Sequence, residues 1–206
     1  HPDKGSWSYM GTDCLNIEYP EPTLNLGWLD CSVILHEASH SLAMAHEQAN
    51  PKGEPIQWNR ERVLQWAKTT QGWDTQTTET NILSRYNLNE INGSEFDPAS
   101  IMLYFFPAYL TMNNKGTNQN LRLSGDDVIW LYNNYPRDDI TPAEFYMRVY
   151  GEDISASVDA SRKEARKQLF GSTGLPIKIF IALAIIAIGA IFLIRNRNVR
   201  YHVRFA

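Results

Sequence analysis

Positive charge is not in excess in this 206-residue chain: 19 Lys and Arg stand against 23 Asp and Glu, a formal charge of −4. Nucleic-acid binders show a basic surplus, so nucleic acid is excluded as a partner. Cysteine is scarce as well. Cys14 and Cys31 are too few for a disulfide-dense scaffold; one bridge in an oxidising compartment and two separate thiols both remain compatible with them. Long apolar runs are missing with one exception, Leu175 to Ile194, which only Lys178 interrupts. At about 1.5 Å per helical residue such a run spans the roughly 30 Å of a bilayer's hydrocarbon. It has no polar face that would mark a core helix. It therefore predicts a transmembrane helix over 175–194, with the lipid bilayer as partner and a single-pass membrane location. The tail 195–206 carries Arg195, Arg197, Arg200 and Arg204 and no acid. Its charge favours a cytosolic tail, with the rest of the chain extracellular or lumenal. Asn92-Gly-Ser94 is a glycosylation sequon usable in that topology.

Ahead of the apolar run the chain is punctuated by turn residues. Residues 1–32 alternate short apolar runs with Gly, Pro and Asn, and read as strands and loops. From Ser32 the pattern changes: Ile34, Leu35, Ala38, Leu42 and Ala45 recur at helical spacing, with Ser32 as the expected cap. Asn59 caps a second helix, Ser124 opens a third that Pro136 stops, and Thr141-Pro-Ala-Glu144 is a capping box for a fourth. The charged run Ser161–Phe170 reads as a solvated helix.

Histidine is also scarce, at five residues, and three of them, His36, His40 and His46, fall close together. One turn apart on a helix, His36 and His40 project to the same side and can share an ion. Glu37 is rotated by about 100° from His36; it cannot join that stack but can reach a water held by the metal. His46 completes the set only if the chain turns back after the helix, since an unbroken helix would carry it roughly 9 Å further along the axis. Three neutral imidazoles leave the fourth position of a Zn2+ ion open, which marks a catalytic rather than a structural site.

The pattern HExxHxxxxxHE over residues 36–47, with Ser100-Ile-Met102-Leu-Tyr104 downstream, resembles the metzincin zinc metalloproteases, and within them the astacin- and matrixin-like members. The segments GSWSYMGTD and LSGDDVIWLYNNYP carry the likeness further, so that it covers about residues 5–136. The resemblance implies an α+β, zincin-like catalytic domain over 1–136, with an upper subdomain 1–43 and a lower one 44–136. A helical stalk or linker over 137–174 would then lead to the transmembrane helix. Strands and a helix that precede GSWSY in the family have no counterpart here, which implies an N-terminally truncated form with an incomplete N-terminal sheet and an exposed edge.

The likeness also implies roles. His36, His40 and His46 would be metal ligands and Glu37 the general base. Tyr104 would be a mobile fifth ligand that stabilises the oxyanion, Met102 an apolar floor beneath the metal, and Glu47 the maker of a supporting salt link. Ala43 stands where the family has glycine, and a non-glycine residue at positive φ costs about 1 kcal/mol. The activity implied is Zn2+-dependent endopeptidase action on peptide or protein substrates. The competing reading is a catalytically impaired, zinc-binding membrane protein that acts by binding a partner.

Overall fold

The computed structural model describes residues 5–52, 56–89, 91 and 95–170. The chain forms two compact units, 1–165 and 166–206, and of the second only 166–170, the end of a helix, are among the described residues. The first unit is α+β with a small sheet. Strands β1 (Trp7–Ser8) and β2 (Leu24–Asn25) pair antiparallel, with Trp7 opposite Asn25 and Ser8 opposite Leu24. Among the described residues six α-helices follow: α1 (Cys31–Ser41), α2 (Arg60–Thr70), α3 (Thr75–Thr78), α4 (Gly125–Asn134), α5 (Pro142–Tyr150) and α6 (Ile154–Phe170).

Side-chain caps set most of the helix starts. Asn59 accepts from the Arg62 amide, and Ser124 and Thr141 each complete a capping box, with Asp127 and Glu144 reaching back. The start of α1 lies earlier than the sequence suggested: Asp30, rather than Ser32, is the cap, and its carboxylate accepts from the Ser32 amide. An Asp two residues upstream offers the better anionic acceptor to orphan amides. Helix α3 and the wide turn Glu79–Leu83 that continues it were not expected, because the stretch is polar throughout except at Ile82 and Leu83. Asp74 caps it, and Thr78 and Ile82 are buried.

Two apolar clusters organise the unit. One joins Met44, Ile101, Met102 and Val128 to Tyr146 and Ile154. The other gathers Val63, Ile82, Phe106 and Leu110 with the rings of Trp58 and Trp66. Helices α5 and α6, in the stretch expected as a stalk, thus place Tyr146 and Ile154 in the first cluster, and residues 137–165 belong to the same compact unit as 1–136. Cys14 and Cys31 are free thiols; Cys14 Sγ donates to the Gly11 carbonyl at 3.1 Å.

The single-pass membrane location read from the sequence is corrected here. Among the described residues, no helix is long and apolar enough to cross a membrane. The longest, α6, has 17 residues and carries Arg162, Lys163, Arg166 and Lys167, about 26 Å of charged helix against the roughly 30 Å of a bilayer core. Residues 175–194 and the basic tail, on which that reading rested, lie outside the described residues, as does the sequon at 92–94.

Candidate metal centre

Helix α1 carries the first two histidines one turn apart, and its C-terminus delivers the third. The Ala43 amide donates to the His40 carbonyl at 2.8 Å and the Met44 amide to the Ser39 carbonyl at 3.0 Å. Those two bonds make a Schellman stop, whose defining residue adopts the left-handed conformation. Here that residue is Ala43, at φ 68°. The stop reverses the chain, so His46 returns to α1 and its Nε2 comes within 3.0 Å of His40 Nε2.

Two carbonyls orient the imidazoles. His36 Nδ1 lies 2.8 Å from the Ile101 carbonyl, and His40 Nδ1 lies 2.8 Å from the Met44 carbonyl. A carbonyl only accepts, so in the neutral rings both Nδ1 atoms carry the proton and both Nε2 atoms present lone pairs. Histidines that bind metals make this same bond with the nitrogen facing away from the ion. One ring nitrogen from each of His36, His40 and His46 lies within 4.8 Å of the others, a cluster able to hold a metal ion. Burial lowers the pKa of all three rings, that of His40 to about 4 with His36 adding to it, so they are neutral donors near pH 7. The donor set fits a metal: lone pairs converge and no carboxylate crowds them.

Glu37, beside His36 and buried, has its carboxyl pushed up to about 7 by burial. Near neutrality it can take or give a proton. The Tyr104 ring centres 4.3 Å from the His46 ring and 5.4 Å from the His36 ring. Burial, then the charge of Glu37 and the neighbouring Tyr86, holds its hydroxyl above the ordinary tyrosine value, so it remains a donor. Met102 is buried, and its carbonyl accepts from the Glu47 amide at 3.0 Å, tying the turn at Ser100–Leu103 to the residue after His46.

Glu47 bonds to groups outside the histidine cluster. Its Oε1 accepts from Asn50 Nδ2 and from the Asp97 amide, both at 2.8 Å. Burial raises its pKa to about 8, with Asp97 and Asp127 adding to the rise against those two bonds. With His46, Tyr86, Asp97 and Asp127 it lines a cavity of about 470 Å³.

Sequence reasoning overlooked Asp127. Its Oδ1 accepts from Ser100 Oγ at 2.7 Å, and its Oδ2 from the amides of Ile101 at 2.8 Å and Ser124 at 2.9 Å. It thereby fixes the turn whose carbonyl orients His36. The available signal was an acid at the third position of a helix whose next residues, Val128-Ile129-Trp130, are apolar: a capping acid on the inward side.

No protein-family model matches the chain, and no curated protein does. Solved structures of myroilysin are similar to it. One shares 31% identity at a TM-score of 0.61, covering 65% of this chain and 69% of that one. Another shares 31% identity over 65% of this chain and 62% of that one, at a TM-score of 0.45.

Proposed function

This chain belongs to the family of myroilysin, a metalloprotease, and from that premise we propose that it is a zinc-dependent endopeptidase, metzincin in type and astacin- or matrixin-like, acting on internal bonds of peptide or protein substrates. The observation that carries the proposal is the convergence of His36, His40 and His46, with Nδ1 of the first two committed to carbonyls. Three imidazoles, joined by no fourth protein ligand among the described residues, are the donor set of a catalytic zinc site. Substrate would enter between an upper part, residues 1–43, and a lower part, residues 44–136.

Zinc held there would supply Lewis acidity, polarising the scissile carbonyl and bringing the pKa of a water down toward about 7. The chain's residues do the rest. Glu37, at a pKa of about 7, accepts the proton of the attacking water as its oxygen bonds to the carbonyl carbon. The Tyr104 hydroxyl, kept protonated by its surroundings, donates to the developing oxyanion. As the carbon–nitrogen bond breaks, Glu37 passes its proton to the leaving amine, so the carboxylate is regenerated in each cycle. Met102 floors the site, and Glu47 supports it from behind His46.

The test is cleavage of a fluorogenic peptide library by the chain, wild type against Glu37→Ala, each with zinc or a chelator. Cleavage should need both metal and Glu37, with a loss of about 10³-fold or more in the variant and zinc content unchanged. Cleavage indifferent to chelator, or full activity in Glu37→Ala, would overturn the assignment.

A further inference from the structure

Asp97 is buried at 2% exposure, and among the described residues no basic side chain bonds to it. It is held by hydroxyls and an amide. Its Oδ2 accepts from Ser124 Oγ at 2.5 Å, and its Oδ1 from the Ala99 amide at 2.9 Å and from Ser161 Oγ. Ser161 is 4% exposed and sits on α6, beyond the part of the chain that carries the sequence resemblance. A buried carboxylate without a counter-ion depends on such donors, because each one removed leaves charge density unsolvated.

From Asp97 two short paths run to the metal centre. Along one, its amide donates to Glu47 Oε1 at 2.8 Å, the residue next to His46. Along the other, Ser124 links it to Asp127, which takes the Ile101 amide at 2.8 Å, and the Ile101 carbonyl receives His36 Nδ1 at 2.8 Å. Every group along both paths is paired, as a rigid support for a metal site requires.

Helix α6 is seated firmly enough to act as an anchor. Gly125, the first residue of α4, packs so close that a Cβ there would lie 2.8 Å from Val158 Cγ2 and 3.0 Å from the Ile154 carbonyl. Its amide donates to Ser157 Oγ at 3.1 Å, and Ser157 also receives the hydroxyl of the fully buried Tyr146 at 2.8 Å. Position 161 therefore shares the inward face of α6 with Ile154 and Val158 and is fixed by their packing and by its bond to Asp97.

We propose that α6 braces the metal centre, and that Ser161 is a positioning residue which, through Asp97, holds Glu47 and the Ile101 carbonyl in the places that orient His46 and His36. The inference rests on the reading of the three histidines as a metal site, and its experiment separates the two. Two quantities are measured on the full chain: the dissociation constant for zinc by chelator competition, and, without metal, the solvent exchange of the His36 Nδ1 proton by NMR. Ser161→Ala should weaken zinc binding about tenfold, the lower end of the effect of outer partners on metal sites, and should speed that exchange. Ser161→Thr, which keeps the hydroxyl, should restore both.

Val158→Ala is the control, because it loosens the seat of α6 without touching Asp97; it should lower Tm and shift both readouts clearly less than Ser161→Ala does. If Ser161→Ala does not fold, Ser161→Cys, a weaker donor of similar size, should shift both readouts in the same direction by less. Wild type that binds no zinc would sink the metal-site reading, while the exchange rates would still decide the brace. Unchanged exchange in folded Ser161→Ala, or equal changes in Val158→Ala, would overturn the brace whatever the zinc result.

Discussion

A Cβ placed on Gly11 would lie 2.9 Å from the Cβ of Ala43, so the methyl at the stop of α1 occupies the space that the glycine leaves open. Both residues have positive φ, 50° at Gly11 and 68° at Ala43. Ala43→Gly should relieve the left-handed strain and stabilise the chain by about 1 kcal/mol. Gly11→Ala should destabilise it by about 2–4 kcal/mol, through its own φ and through the clash. In the Ala43→Gly background the clash is gone, so Gly11→Ala should cost measurably less there. A double-mutant cycle by urea unfolding checks this, and strict additivity would show the two positions to be independent.

Tyr104 tests the division of labour at the site. Tyr104→Phe keeps the ring beside His46 and His36 and removes only the hydroxyl. Under the proposed mechanism the hydroxyl acts on charge that exists only in the transition state. The variant should therefore lose about 10²-fold in kcat with little change in KM, and zinc content should stay the same. A rise in KM at constant kcat would instead make Tyr104 a binding residue.

Met102 is the residue whose two readings differ most in stability. It is buried at 1% exposure within the cluster of Met44, Ile101 and Val128. Met102→Ala should cost about 2–5 kcal/mol as a cavity forms, while Met102→Leu should cost less than about 1.5 kcal/mol. If Met102 also floors the metal, Met102→Leu should change zinc affinity even though stability is kept. Thermal unfolding and chelator competition on the same samples separate the two.

What the sequence disclosed follows the range over which each signal acts. His36 and His40 could be placed together because four residues on a helix fix their geometry locally. The return of His46 depends on the stop at Ala43, where the usual signal, glycine, is absent, so the turn could be inferred only from the need to bring His46 back. The capping boxes at Ser124 and Thr141 were legible for the same local reason. The hydroxyl partners of Asp97 are 27 and 64 residues away in sequence, and no periodicity encodes such pairs. Helix α3 stayed hidden because its stability comes from burying Thr78 and Ile82 against other elements rather than from an apolar stripe of its own. The charged face of α6 was visible as Ser161–Phe170, but its inward face comes from Ile154, Val158 and Ser161 together. Only the first two of those are apolar.

Asp127 offers a measurement in which stability and pH are linked through one carboxyl. It is fully buried, and burial raises its pKa from 3.8 to about 6, with Asp97 adding to the rise against the bonds from Ser124, Ile101 and Ser100. A carboxyl whose folded pKa lies above its unfolded one stabilises the fold while both states are protonated, and that contribution is lost as pH rises through the folded value. Between about pH 4 and pH 6.5 the loss should come to about 2 kcal/mol. The histidines act in the opposite sense. Their lowered values, about 4 for His40, mean that stability falls as pH drops below their unfolded value of 6.5, so the pH profile of the wild type alone mixes both effects. Asp127→Asn separates them, because an amide resembles the protonated acid in shape and does not titrate. The unfolding free energy of wild type minus that of Asp127→Asn, measured in urea with chelator present, should fall by about 2 kcal/mol from pH 4 to pH 6.5. A difference that is flat, or that rises with pH, would mean that Asp127 enters the folded state already ionised and is held there by its three donors.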